Sequence, residues 1–556
     1  MAIDAEERFD AITLEVLWSR LIAVADEAAL ALVRTAFSTI VRESNDYSFV
    51  ITDVSGESVA ENSGGIPSFV GILPRTVRHF LSLKPPGDWR PGDVMITNDP
   101  WLATGHLPDA TMVSPVFRNG ELVAFVGAVA HLPDIGGGMW AADATEVFEE
   151  GLRIPPMAFH REGVRNQDLF DLITANTRVP EQVIGDLYAQ IAAHEVGARG
   201  IIDLLDDVGD VDLKALGDEV KRRAEQSMRA AITDVPDGCY TAQISTDGFD
   251  DPITLRVAVE VNGDALSIDY TGTSPQVGRG VNCVFNYTYA YSAYPIKCAL
   301  DPFTPRNEGS YRPVTITAPK GTVVNPTFPA AVGARHLTGH VLASTVFAAL
   351  AAAVPTQVIA ESGGALMRAV FTGARRDDTR FSAIAWPTGG MGAGHDRDGL
   401  STTAFPSNVG VGSIEALENA TPLHIRSKTY RVDSGGAGTY RGGLGQDVVI
   451  EVRSHQPVRV ALLADKVKHA PIGILGGRAG AGNDALLNAV SPLHPKSRFT
   501  VQPGDVVTLR YAGGGGYGAP EDRDEAAVVH DVREGYVSHK AAREIYGREV
   551  SEEQSS

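Results

Sequence analysis

The stretch "GHLPDATMVSPVFRNGELVAFVGAVAHLPDIGGG", residues 105–138, holds His-Leu-Pro-Asp twice, at His106–Asp109 and again at His131–Asp134. Between the copies lie two alternating runs rich in β-branched residues, 110–117 and 121–131, separated by Arg118-Asn119-Gly120. Asn-Gly flanked by such runs is the strongest short hairpin signal. With Asn119 and Gly120 as the loop, Arg118 faces Glu121, Asp109 faces Ala130 and Pro108 faces His131. Facing residues have Cβ atoms about 4.5–5.5 Å apart and diagonal ones about 7–8 Å. The hairpin therefore carries His106, Asp109 and His131 to one open end. Two imidazoles and a carboxylate around one point suit Zn²⁺, Mn²⁺ or Fe²⁺, and a three-ligand set leaves a position open for water or substrate. The same residues also read as hydrogen-bonded groups at strand ends, the commoner fate of a lone histidine.

Working outward, "VRESNDYSFVITD" places Asp46 where a polar stretch enters a strand, as a functional residue or as a turn cap. Residues 11–37 repeat apolar side chains at helical spacing without Gly or Pro and predict a long core helix. "DYSFVITDVSGESVA" predicts strand, turn, strand, and "VMITND" a further strand. "DATEVFEEGLRIPP" (143–156) predicts a helix stopped by prolines, and residues 166–230 are strongly helical. From Gly238 to about Pro326 the chain reads as β-rich, 330–353 as helix, and beyond 360 as glycine-dense β structure. The expected fold class is α+β and multidomain. Its divisions are a metal-binding catalytic region (1–230), a β-rich region (231–328), and a helix plus glycine-rich β region (329–556) carrying substrate and subunit contacts.

A chain of 556 residues exceeds one hydrophobic core and suggests about three or four domains. Its formal charge of −21 argues against nucleic acid or an anionic membrane as partner. Cys239, Cys283 and Cys298 fit no disulfide framework and no Cys-x-x-Cys metal site; Cys239 and Cys298 read as inert core thiols. The N-terminus is acidic where a signal peptide is basic, and no apolar run spans a bilayer, so the expected location is cytoplasmic.

Other motifs carry less chemistry. "GGGGYG" (513–518) lacks both the Lys-Ser/Thr of a phosphate loop and a following helix, and reads as a structural turn. "GGMGAGHDRDG" and "GGAGTYRGGLG" are candidates for close backbone approach to a ligand. His336 and His340 share a helix face, but no Glu follows the first, so helix packing or hydrogen bonding is the preferred reading.

Taken together, "RESNDYSFVITD", "PGDVMITNDPWLATGHLPDATMVSPVF", "AHLPDIGGG", "FEEGLRIPP" and "GGGGYGAP" resemble the hydantoinase B/oxoprolinase family along nearly the whole chain. The resemblance implies the metal-containing B-type subunit of an ATP-dependent cyclic amide hydrolase, opening a hydantoin, 5-oxoproline or lactam ring. It implies a separate A-type ATP-binding hydantoinase subunit, in a heterotetramer or larger assembly, which carries ATP and Mg²⁺. One divalent metal belongs to the B-type chain, Zn²⁺ in first place and Mn²⁺ or Fe²⁺ otherwise. The family's His-x-x-Asp and second His match His106, Asp109 and His131, and its cyclic-amide hydrolases add an aspartate matching Asp46. Asp134 then orients His131 or the loop after it. The alternative within the same resemblance is a subunit of an acetone- or acetophenone-type ketone carboxylase. Residues 63–76 depart from the family's hydrolases, so substrate identity does not carry over.

Overall fold

A computed structural model describes residues 9–209, 212–385 and 387–551; the acidic N-terminal segment read above lies outside them. The hairpin forms the middle of a seven-stranded antiparallel sheet. Its order is Ser58–Glu61, Tyr47–Thr52, Glu121–His131, Asp109–Arg118, Val94–Thr97, Met157–Arg161, Val164–Arg165. Both faces of the central strands are covered. Phe49, Ile51, Val126 and Ala128 pack under the helices Ala11–Thr35 and Pro180–Val208 through Leu21, Leu32, Ala193 and Leu204. Val50, Met112 and Val129 on the other face join a second core with Tyr287, Tyr291 and Leu337. Period-two alternation therefore divides the strand residues between two cores instead of between core and water.

The hairpin closes at Asn119-Gly120, but not in the expected register throughout. Arg118 pairs with Glu121 and Phe117 with Leu122, then Val116 pairs with Ala124. The residue left over, Val123, makes a bulge and shifts every later pair by one. Asp109 consequently faces His131, not Ala130.

Three further expectations are corrected. Residues 143–156 form only a single 3₁₀ turn, Val147–Glu149. Glu146 instead bridges Ala330, and Val147 N–H donates to the Pro329 carbonyl at 2.9 Å, so tertiary pairing overrides helical propensity. The 238–326 region does hold a sheet, but also the helix Phe285–Leu300, which is buried on nearly all sides and places Tyr287, Tyr291 and Ile296 in the core. Cys239 is exposed on the edge strand Gly238–Thr246 of that sheet.

Two more sheets, of four and five strands, lie between residues 367 and 510. The glycine-rich segments run between them and pack closely on one another. Gly514 N–H donates to the Gly443 carbonyl at 2.9 Å, and Gly443 N–H to the Met391 carbonyl at 2.8 Å. A Cβ on Gly514 would stand 2.0 Å from the Met391 carbonyl oxygen, so only glycine permits this spacing.

Candidate metal centre

Asp46, His131 and Asp109 form a row across the ends of three adjacent strands. Tyr47 pairs with Ala130, Asp109 pairs with His131, and His131 N–H donates to the Asp46 carbonyl at 3.1 Å. His106 reaches the same point from a turn before the Asp109 strand. That turn begins at Gly105, with φ of +100°. A Cβ there would lie 2.8 Å from Arg335 Cδ, so both conformation and space require glycine.

The three donor sets of His106, Asp109 and His131 converge, each supplying an atom within 4.8 Å of the others. Asp109 Oδ1 lies 2.8 Å from His106 Nε2 and 2.9 Å from His131 Nδ1. Asp46 lines the same cavity, its Oδ2 3.9 Å from His131 Nδ1. The cavity is about 40 Å³, the scale of an ion with one water.

The surroundings fit a cation. His106 Nδ1 donates to the Gly333 carbonyl at 3.0 Å, which fixes the tautomer and leaves the unprotonated Nε2 to present its lone pair to the centre. Burial, reinforced by the Arg335 charge, pulls the His106 pKa down to about 4, so the ring is neutral, as a ligand must be. Burial opposes ionisation of Asp109, but His106 and Arg335 outweigh it and hold its carboxyl well below the usual range. Asp46 is pushed up to about 6 by burial. One oxygen set is thus charged before any ion arrives, and a second becomes charged near neutrality.

The remaining walls include Arg335 and Trp140, which the sequence reading passed over. Arg335 Nη2 pairs with Asp109 Oδ2 at 2.5 Å, and its guanidinium stacks 4.1 Å from the Tyr287 ring. Trp140 Nε1 donates to the same Gly333 carbonyl at 2.6 Å, and its ring lies 5.1 Å from His131. His336 and His340, read from sequence as packing or hydrogen-bonding residues, line this cavity with Arg368. His340 Nε2 meets the Tyr287 hydroxyl at 3.1 Å, which agrees with the hydrogen-bonding half of that reading. Neither ring nitrogen of His336 has a hydrogen-bond partner among the described residues. Asp134 serves the loop after it: it accepts from Gly136 N–H at 3.3 Å and pairs with Arg178 at 2.5 Å, and it does not orient His131.

Fold and site together define an α+β protein with a buried two-histidine, one-aspartate centre at the end of a hairpin. Residues 10–520 match the profile of the hydantoinase B/oxoprolinase family, and the chain belongs to that family. A protein from a Pseudomonas species, named as the B-type chain of a D-/L-hydantoinase, is 32% identical over 98% of this chain and 96% of its own. The beta chain of the Pseudomonas jessenii caprolactamase is 33% identical over 97% of this chain and 96% of its own. The crystal structure of the ATP-dependent caprolactamase from Pseudomonas jessenii covers 98% of this chain and 97% of its own, with TM-score 0.89 and 31% identity. A nucleotide-free acetone carboxylase structure shares the fold, with TM-score 0.88 at 20% identity, over 97% of this chain and 80% of its own.

Proposed function

We propose that this chain is the metal-holding B-type subunit of an ATP-dependent cyclic amide hydrolase. The observation that carries the reading is the convergence of His106, Asp109 and His131 on one buried point with the His106 ring held neutral. Asp46 serves as a fourth ligand, and Zn²⁺ is the ion of first choice for this nitrogen and oxygen set. A bound ion of this kind polarises a carbonyl or lowers the pKa of a bound water to about 7.

The chain's own residues then divide the work. His106 is aimed by the Gly333 carbonyl, and Asp109 is aimed by Arg335. Trp140 and the Tyr287–Tyr291 pair close the centre against bulk water. Nothing along the chain reads as a phosphate loop, so ATP and Mg²⁺ are assigned to an A-type partner subunit, with the assembly in the cytoplasm. No helix of the described residues is long and apolar enough to cross a membrane.

Co-expression with an A-type hydantoinase subunit tests the reading. The purified complex should turn over ATP in the presence of a hydantoin, 5-oxoproline or a lactam, and release the ring-opened product without bicarbonate. Turnover that needs bicarbonate and a ketone would replace the hydrolase reading with a carboxylase one. Tight ATP binding to this chain alone, by calorimetry, would overturn the division of labour.

A further inference from the structure

A cleft of about 670 Å³ runs beside the helix Phe285–Leu300 and shares no lining residue with the metal cavity. Its volume is that of a small-molecule site, and apolar side chains make most of its walls. Phe347, Ile359, Met391 and Phe405 line it, and Phe303, 95% exposed, stands at its mouth. Four charged side chains complete the lining: Glu61, Lys297, Arg306 and Arg397. Lys297 is neutralised by Asp301, whose Oδ2 lies 2.7 Å from Nζ. Arg306 has no such match. Its Nη2 donates to the Asn62 carbonyl at 3.4 Å, and its Nε stands 3.7 Å from Glu61 Oε2, too far for a hydrogen bond. It makes no other hydrogen bond among the described residues, and its side chain keeps 20% exposure on the cleft it lines.

A guanidinium withdrawn this far from water is ordinarily matched by an acid. Burial pushes the Glu61 carboxyl up to about 7, so below that pH it supplies little countercharge. Arg397 adds a second cation, 73% exposed and 3.7 Å from Asp396. In a chain of net charge −21, two cations with unused donors thus meet over apolar walls. We propose that this cleft binds a small organic oxyanion, a carboxylate or a phosphate monoester carried on an apolar body. The unused Arg306 donors meet its oxygens in charge-assisted hydrogen bonds, and Arg397 adds attraction from the more open side. The phenylalanines take the apolar body, and Phe303 loses its exposure to water on binding. A neutral molecule of the same shape gains the apolar contact alone.

The test is calorimetry on the purified full chain at about pH 6 with benzoate, phenyl phosphate and benzyl alcohol, one ring with and without an oxyanion. Both anions should bind, and benzyl alcohol at least about tenfold more weakly, the effect of hydrogen bonds to a charged group. The tighter anion assigns the ligand as a carboxylate or a phosphate monoester. Arg306→Met should weaken both anions at least about tenfold. Glu61 is mostly protonated at that pH, so the change strands no charge, and circular dichroism should be unaltered. Arg397→Glu, an exposed change, should weaken both anions severalfold and carries the test if Arg306→Met does not fold. Prior chelation of metal ions should leave every value unchanged, because the cleft is separate from the metal cavity. Absence of anion binding by the wild-type chain, or equal binding of the alcohol and the anions, overturns the site. Undiminished binding in a folded Arg306→Met or in Arg397→Glu does the same. Binding that disappears with chelation places the anion on the metal and overturns it too.

Discussion

Arg335 and Asp109, 226 positions apart in sequence, meet at 2.5 Å with side chains 4% and 0% exposed. The pair ties the helix His336–Leu350, through the residue just before it, to the open end of the hairpin. It also leaves Asp109 with one oxygen on a fixed cation and the other facing two imidazoles.

Arg335→Met removes that cation and leaves a buried carboxylate uncompensated. The expected loss for the metal-free chain is about 3–5 kcal/mol. Urea unfolding with and without saturating Zn²⁺ reads it. The loss should shrink with Zn²⁺, because a cation then faces the same carboxylate. An equal loss in both conditions would separate Asp109 from metal binding.

The metal itself gives the second expectation. The chain should carry about one divalent ion per copy, and His106→Ala or His131→Ala should each remove it. Elemental analysis that finds stoichiometric metal in both variants would dismantle the centre as drawn.

Asp46 and Asp109 are separable from mere caps by asparagine, which keeps shape and an acceptor oxygen but loses the charge. Asp→Asn at either position should preserve the fold by circular dichroism, weaken metal affinity and uncouple ring opening from ATP consumption. Full metal content and full coupled activity in Asp46→Asn would demote Asp46 to a cap and leave three ligands.

Glu61 sets a pH dependence away from the centre. Burial pushes its carboxyl up from 4.5 to about 7, and neither oxygen has a hydrogen-bond partner among the described residues. A folded-state pKa above the unfolded one stabilises the protonated form. The contribution is therefore complete below about pH 4.5 and is lost as pH rises through about 7. The change is up to about 3 kcal/mol across that window. Glu61→Gln should flatten the fall in stability between pH 5 and 8.5, measured by chemical denaturation. A fall of unchanged steepness in the variant would assign it to other groups.

Much of the centre was legible because its two histidines and aspartate flank one hairpin, where a turn signal and alternation fix the register within a residue. The single slip came from Val123, a bulge that no local pattern announces. Residues supplied from far along the chain were invisible for the same reason that the hairpin was visible. Arg335, Gly333 and His336 reach the centre only through tertiary packing, and spacing encodes nothing about it. The buried helix Phe285–Leu300 was hidden by its tyrosines and threonine, residues that favour strands in isolation and here follow the core. The missing helix at 143–156 errs in the opposite direction: good helix formers were drawn off by the 329–333 segment and by the Glu150 carboxyl.

Trp140 gives the centre an optical handle. Its indole shares the Gly333 carbonyl with His106, and its ring lies 5.8 Å from His106 and 5.1 Å from His131. Any change in how those imidazoles are held alters the field and the hydrogen bond that the indole feels. The difference in emission between the wild-type chain and Trp140→Phe is therefore a direct, label-free record of the ion entering and leaving.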